Sequence, residues 1–326
     1  VKEREWLAEH GAAFLSISSQ NPDLLKGIER DRIMAFQKAS GQALANYYQW
    51  LQADKFSWSV IAAPSKAWAA KVFPHLPEEQ QMDALWEAIF AATRIDVENP
   101  VEAWHTHDQE LHSKADYLNA KQFKSLHYTA PGTDLTIELP PHHVWTGGSS
   151  ISTQGQTFMA NMPTEEIFTA PLKTGVNGYV SSTKPLSYGG NIIDNFTLTF
   201  KDGRIIDVKA EQGQEILASL IETDEGSHYL GEIALVPHQS PISQSDLLFY
   251  NTLFDENASN HFAIGSAYAF CIEGGKEMTS EELSAHGLNQ SLTHVDFMIG
   301  STKMNIDGIT HDDQIDPIFR DGNWAI

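Results

Sequence analysis

The 326-residue sequence predicts a chain of mixed α+β and α/β class. A partial N-terminal α/β domain, helices plus a strand, occupies residues 1–126, and a larger β-rich mixed domain follows over residues 127–326. Three observations carry this prediction. Up to about residue 125, apolar residues recur at three- and four-residue spacing, interrupted by one short alternating stretch. From Thr129 onward alternation at period two takes over. The length also suits two units, at roughly 150 residues per domain.

In order along the chain, residues 31–51 place Ile33, Met34, Phe36, Leu44, Tyr47, Tyr48 and Leu51 on roughly one helical face. Residues 56–63 alternate through Phe56, Trp58, Val60 and Ala62, a strand stopped by Pro64. Residues 78–93 repeat Met82, Leu85, Trp86, Ile89 and Phe90, a second helix. Pro100 opens a third, running to about Asn119, because a first-turn N–H has no intrahelical partner to lose. Further on, Leu135, Ile137 and Leu139 alternate, and residues 147–156 read as a Gly/Ser-rich loop. Phe196, Leu198 and Phe200 lead to Asp202-Gly203 and a return over residues 205–208, a hairpin whose glycine tolerates positive φ. Ile216, Leu217, Leu220 and Ile221 mark a short helix. Residues 233–236, 262–270 and 295–300 read as buried strands. There is no internal repeat, heptad run or low-complexity tract.

Composition narrows the function. With 43 acidic and 21 basic residues the net charge is −22, which repels nucleic acid and anionic membranes and favours cations and free amines. The hydrophobic content, 41%, supports a packed core and argues against disorder. One cysteine, Cys271, excludes an intramolecular disulfide and a cysteine zinc cluster, so a reducing compartment is expected. No apolar run approaches the roughly 20 residues that span a bilayer. The opening residues do not resemble a signal peptide. The chain begins at Val1 and not at Met, which suggests a piece of something longer.

The candidate chemistry lies in carboxylates and histidines. His294 and Asp296 stand two apart in a predicted strand, so both point to one face and can share an ion; the same pair also serves as a hydrogen bond in a sheet. Glu165-Glu166 are adjacent carboxylates, which need a cation or a proton if both are buried, or else form a solvated acidic turn. Glu232 stands at the mouth of the buried run 233–236, a ligand or general base, or a solvent-facing strand start. Asp255, Glu256 and His261 fall within seven residues ahead of the 262–270 strand, on which Tyr268 and Phe262 would share a face. His105, His107 and His112 lack helical metal spacing and are read as solvated or packing residues; His142 and His143 beside Trp145 could line a pocket but are read as packing. No phosphate loop, dinucleotide fingerprint or nucleophile elbow is present. Taken together, the set suits zinc, cobalt or manganese, with magnesium also admitted, and its size suits two ions about 3.5–4 Å apart bridged by a carboxylate.

Several blocks then carry a resemblance. They are Asn161-Met162-Pro163-Thr164-Glu165-Glu166-Ile167-Phe168-Thr169-Ala170-Pro171, Lys184-Pro185-Leu186-Ser187-Tyr188-Gly189-Gly190 and Leu230-Gly231-Glu232-Ile233-Ala234-Leu235-Val236-Pro237. Asn251-Thr252-Leu253-Phe254-Asp255-Glu256-Asn257, His294-Val295-Asp296-Phe297-Met298-Ile299-Gly300 and Pro317-Ile318-Phe319-Arg320 continue the series. In this order they resemble the thermophilic-type metalloaminopeptidases, the AmpS/PepS/AmpT family. The resemblance implies a cytoplasmic, dimeric exopeptidase that uses two divalent metal ions to remove N-terminal residues from peptides. It places metal ligands at Glu166, Glu232, Glu256, His261, His294 and Asp296, with Glu232 as the bridge. It places the active-site tyrosine at Tyr268, as a metal ligand or a transition-state donor, and it leaves Glu165 and Glu256 as candidates for proton transfer. Family members begin with a further α/β segment that this chain lacks, so the alternative is a metal-binding but inactive truncated form. A carboxylate-pair glycoside hydrolase is a third reading, but it has no use for His261 and the His294/Asp296 pair.

Overall fold

The computed structural model describes residues 1–326 with the exception of Gln20. The side chains of Arg30, Asp31, Met34 and Gln37 are also outside the described set, and with them the expected place of Met34 on a helical face.

The chain opens with α1 (Lys2–Glu9), β1 (Phe14–Ser18), α2 (Arg30–Ala43), α3 (Ala45–Gln52) and β2 (Trp58–Ala62). β1 and β2 pair in parallel, from Phe14 opposite Trp58 to Ser18 opposite Ala62. The single helix expected over residues 31–51 is two, broken at Leu44, three residues after Gly41, a poor helix former. The second piece turns Tyr47 into a small cluster with Phe14 and Phe56, its ring stacked on Phe56 at 5.5 Å. Next come α4 (Lys66–Val72), α5 (Glu78–Ala92) and α6 (Pro100–Lys121). α5 buries Leu85, Ile89 and Ala92 against Trp68, Phe249 and Phe254. For α6, the Asn99 side chain accepts from Glu102 N at 3.2 Å at the start, and a left-handed Gln122 ends it. Its face of His107, Leu111, Ala115 and Leu118 is buried.

The remainder is β-rich. β3 (Ser125–Ala130) and β4 (Thr133–Glu138) form a hairpin; β5 (Ser149–Ile151), inside the stretch 147–156 that the sequence suggested was only a loop, and β6 (Thr157–Met159), just after it, form another. β7 (Ile167–Thr169), β8 (Val176–Ser181), β9 (Leu186–Tyr188), β10 (Asn191–Lys201) and β11 (Arg204–Gln212) follow. The β10–β11 turn has positive φ at Asp202 (50°) and Gly203 (81°), the backbone an Asp-Gly hairpin demands. After α7 (Gln214–Ile221) come β12 (Leu230–Leu235), α8 (Pro241–Ser245), α9 (Thr252–Asp255), β13 (His261–Gly265), α10 (Ser280–Ala285), β14 (His294–Met298), β15 (Asn305–Ile309), β16 (Ile315–Arg320) and β17 (Asn323–Trp324). Among the described residues, a nine-stranded sheet runs β11-β10-β8-β4-β3-β15-β16-β17, with β9 beside β10.

A four-stranded antiparallel sheet, β14-β13-β12-β7, packs against it. The strand expected over residues 262–270 ends at Gly265, whose φ of +116° takes the chain out of extended geometry. Asn289 holds that exit by donating from Nδ2 to the Gly265 carbonyl at 2.6 Å. Tyr268 therefore lies beyond the strand and does not share a strand face with Phe262.

Candidate metal centre

The register of the small sheet sorts its residues by chemistry. Ala263 on β13 stands opposite Glu232 on β12 and opposite Asp296 on β14, and Gly265 stands opposite His294. His261 is two residues before Ala263, so it shares that face, as does His294 two before Asp296. The other face carries Ile233, Phe262, Ile264 and Phe297 into the core, where Phe262 meets Tyr128 edge-on at 5.1 Å. The hydrophobic driving force on one face thus fixes the polar row on the other. Ala263, a small residue in the middle of that row, leaves space there, while Gly265 at its end makes room for the Thr293 backbone. Glu166 reaches the same place from the segment entering β7.

The side chains converge. Glu166, Glu232 and His261 present ligand atoms all within 4.8 Å of one another, and so do Glu232, His294 and Asp296. Glu232 belongs to both groups, with Oε1 3.6 Å from His261 Nε2 and Oε2 3.3 Å from His294 Nε2. Each imidazole has its tautomer fixed from behind. His261 Nδ1 lies 3.1 Å from the Ser259 carbonyl and His294 Nδ1 2.7 Å from the Ser266 carbonyl. A carbonyl can only accept, so Nδ1 carries the proton and Nε2 faces the carboxylates.

Those facts test whether a cation fits. A neutral imidazole would aim an Nε2 lone pair at carboxylate oxygens, which is repulsive unless something positive lies between. Glu166 Oε2 is 3.0 Å from His261 Nε2, yet the approach is not directed as a hydrogen bond, and this buried oxygen has no hydrogen-bond partner. Asp296 Oδ1, 3.4 Å from His294 Nε2, is in the same condition. When protons are the only cations, they collect here. Burial would lower His261, but Glu166 and Glu232 outweigh it and hold the imidazole well above its ordinary range. His294 is likewise raised against burial, by Tyr268, Asp296 and Glu232. Burial pushes Glu166 up, whereas for Glu232 the two adjacent histidines, His261 and His294, overcome burial and bring it down to about 2. Nitrogen and oxygen donors in two sets sharing one carboxylate fit divalent ions.

Glu256 stands outside both sets but lines the cavity beside them, with Tyr268, His294 and Asp296. Burial, then the charges of Glu166 and Asp296, hold its carboxyl well above the usual range. That cavity measures about 570 Å³ and is walled by Trp58, Phe168 and Phe270 among others. A second cavity, of about 550 Å³, reaches Glu256 and Asp296 from the side of Pro185 and Tyr250. Tyr268 stacks on Phe270 at 5.2 Å, with its ring 4.8 Å from that of His294, and burial raises its phenol. Glu165 is not brought to this cavity. It is buried and held by Arg94, with Arg94 Nη2 2.9 Å from its Oε2. His107 and Asn257 also belong to this neighbourhood, and the sequence alone gave no sign of Arg94 or Asn257. The helical spacing of His107 with Leu111, Ala115 and Leu118, the face that α6 buries, was the signal available for it. His143 packs edge-on against Trp145, as expected, and burial lowers its imidazole to about 4.

Comparison with known proteins accords with this geometry. Residues 1–324 match the family described as thermophilic metalloprotease (M29), and the chain belongs to that family. Aminopeptidase AmpS of Bacillus subtilis (strain 168) is 66% identical over 325 residues, which cover 100% of this chain and 79% of that protein. Aminopeptidase 2 of Geobacillus stearothermophilus is 57% identical over 325 residues, with the same shares covered. Among solved structures, wild-type AmpT from Thermus thermophilus superposes with a TM-score of 0.92 at 40% identity, covering 100% of this chain and 80% of that one.

Proposed function

We propose that this metalloprotease is an aminopeptidase that removes N-terminal residues from peptides with the help of two divalent ions. The observation that carries the reading is Glu232, buried between two histidines and common to both ligand sets. Glu166, Glu232 and His261 would hold one ion, and Glu232, His294 and Asp296 the other. Bound divalent ions supply Lewis acidity, which brings the pKa of a water towards neutrality and polarises the scissile carbonyl. Zinc, cobalt and manganese suit these donors, and magnesium is admitted.

The chain's own residues then divide the work. Ser259 and Ser266 fix the imidazoles through their carbonyls, so both rings present Nε2 without reorganisation. Glu256 faces the cavity and Glu165 does not, which favours Glu256 for taking a proton from water and returning it to the leaving amine. Once Glu166 and Asp296 are charge-balanced, their share of the upward push on Glu256, which comes second to burial, is relieved. Tyr268, whose raised pKa keeps its phenol protonated, donates to the oxyanion. The acidic wall of Glu256 and Asp296 favours a free α-amine over a blocked one. We read residues 1–126 and 127–326 as two domains, with Trp58 and Tyr48 of the first facing Phe168 and Phe270 of the second across the cleft.

The reading extends to a cytoplasmic homodimer. Cys271, buried and free, suits a reducing compartment, and no described helix is long and apolar enough to cross a membrane. The dimer rests on the family resemblance and is checked by sedimentation. The activity is tested with a free-amine dipeptide and its N-acetylated twin, on chelator-stripped protein before and after zinc or cobalt is returned. Cleavage of the free-amine peptide alone, and only with metal, is expected. Cleavage that ignores the chelator, or of the acetylated twin at an equal rate, would overturn the reading.

A further inference from the structure

We propose that Arg94 and Glu165 form a positioning pair for Glu166, and that Glu165 takes no part in proton transfer. The inference rests on the metallopeptidase reading above. Glu165 and Glu166 are neighbours in sequence but serve different partners. Glu166 meets His261, whereas Glu165, 3% exposed, has both carboxylate oxygens on the Arg94 guanidinium. That fork is itself held. Arg94 Nη2 lies 3.2 Å from His107 Nδ1, and His107 Nε2 lies 2.8 Å from the Thr164 carbonyl. The carbonyl must accept, so Nε2 carries the ring proton and Nδ1 is left to accept from Arg94. The guanidinium also stands 5.7 Å from the centre of the Trp104 ring, and Trp104 Nε1 donates to the Thr93 carbonyl at 2.7 Å.

The backbone is fixed from the opposite side. Glu165 N donates to Asn257 Oδ1 at 2.7 Å, and Asn257 Nδ2 donates to the Leu253 carbonyl at 3.0 Å. Asn257 directly follows Glu256, so one buried amide joins the segment bearing Glu166 to the turn bearing Glu256. Thr164 and Glu165 are therefore tied at a carbonyl, an amide and a carboxylate immediately before Glu166. With three anchors upstream and the β7 pairing downstream, the direction in which Glu166 leaves the chain is set. A buried ion pair is a poor source of net stability, because desolvation offsets the attraction. What this one provides is geometry at the neighbouring ligand.

The test measures zinc affinity by competition with a chelator, together with kcat and KM at saturating zinc, for wild type, Arg94→Met, Arg94→Lys, Glu165→Gln and the Arg94→Met/Glu165→Gln double variant. The expected result is a 10- to 100-fold loss of affinity for one ion, on the order seen when partners behind a metal ligand are removed. Arg94→Met and Glu165→Gln should lose similar amounts, the double variant no more than the worse single, and Arg94→Lys less than Arg94→Met. kcat should recover when the site is refilled. Should Arg94→Met fail to fold, Glu165→Gln, which can keep a hydrogen bond to Arg94, decides the matter. A Glu165→Gln variant with wild-type affinity but a kcat more than 100-fold down at full occupancy would make Glu165 the proton carrier and overturn the proposal. Wild-type affinity and kcat in all variants would also overturn it. A wild type that binds no zinc would instead remove the metal reading on which the proposal stands.

Discussion

Replacing Glu232 by glutamine changes one oxygen to an amide and removes one negative charge. The structure gives the size of the effect. Glu232 contacts both histidines, at 3.6 and 3.3 Å, and belongs to both ligand sets. The four carboxylates around it, itself included with Glu166, Glu256 and Asp296, carry the charge that two divalent ions would neutralise. Removing one member of a buried charge pair costs about 3–5 kcal/mol. That corresponds to a roughly 150- to 5,000-fold weaker Kd. Because the residue is shared, both ions should weaken, and hydrolysis should disappear with them. The assay is metal content per chain by elemental mass spectrometry after dialysis, with chelator competition for Kd. Glu225→Gln, at an exposed ion pair with Arg204, serves as the control and should bind metal as wild type does. If Glu232→Gln keeps two ions per chain with affinities within threefold of wild type, the shared-carboxylate argument is wrong.

Tyr268→Phe should lower kcat by about 10²- to 10³-fold, the usual cost of one oxyanion donor, while metal content stays unchanged; an unaltered kcat would remove Tyr268 from the reaction. Ala263→Val adds bulk between Glu232 and Asp296, so metal affinity should fall at least tenfold while far-ultraviolet circular dichroism stays native; wild-type affinity would mean the row has more room than the register implies. For His143, burial lowers the folded-state pKa from 6.5 to about 4. The unfolded chain therefore binds the proton first, and the stability this residue contributes is complete above about pH 6.5 and is lost as pH falls towards 4, by about 3 kcal/mol. Urea unfolding between pH 7 and 4 should show a shallower decline for His143→Gln than for wild type, and equal slopes would refute the assignment.

The regular parts of this fold were readable because local pattern and tertiary packing agree. α5 follows its apolar spacing, α6 starts at Pro100, and the β10–β11 hairpin follows Asp202-Gly203. His294 and Asp296 share a face because β14 is a strand, as period two requires. The failures arise where distant residues decide. Gly265 and Asn289 end β13 before Tyr268, and Phe14 and Phe56 recruit Tyr47 away from a straight helix. Glu165 looked like a twin of Glu166 until its partner appeared 71 residues earlier, at Arg94. No spacing rule connects such positions, since the link is made where the chain after α5 meets α6 and the segment entering β7.

The register of that sheet has a consequence for how the sequence can change. β13 and β14 alternate between a core residue and a site-face residue, and β12 does so from Glu232 onward, after the register shift that separates it from Leu230. Inserting or deleting one residue inside any of them would turn Phe262 or Ile233 outward and bury Glu232 or His261 in the core. Such a change would cost the packing and the ligands at one stroke. Length variation should therefore be confined to turns such as the one at Asp202-Gly203, and a deletion scan across residues 230–298 would read as a map of where the two faces of one sheet must keep step.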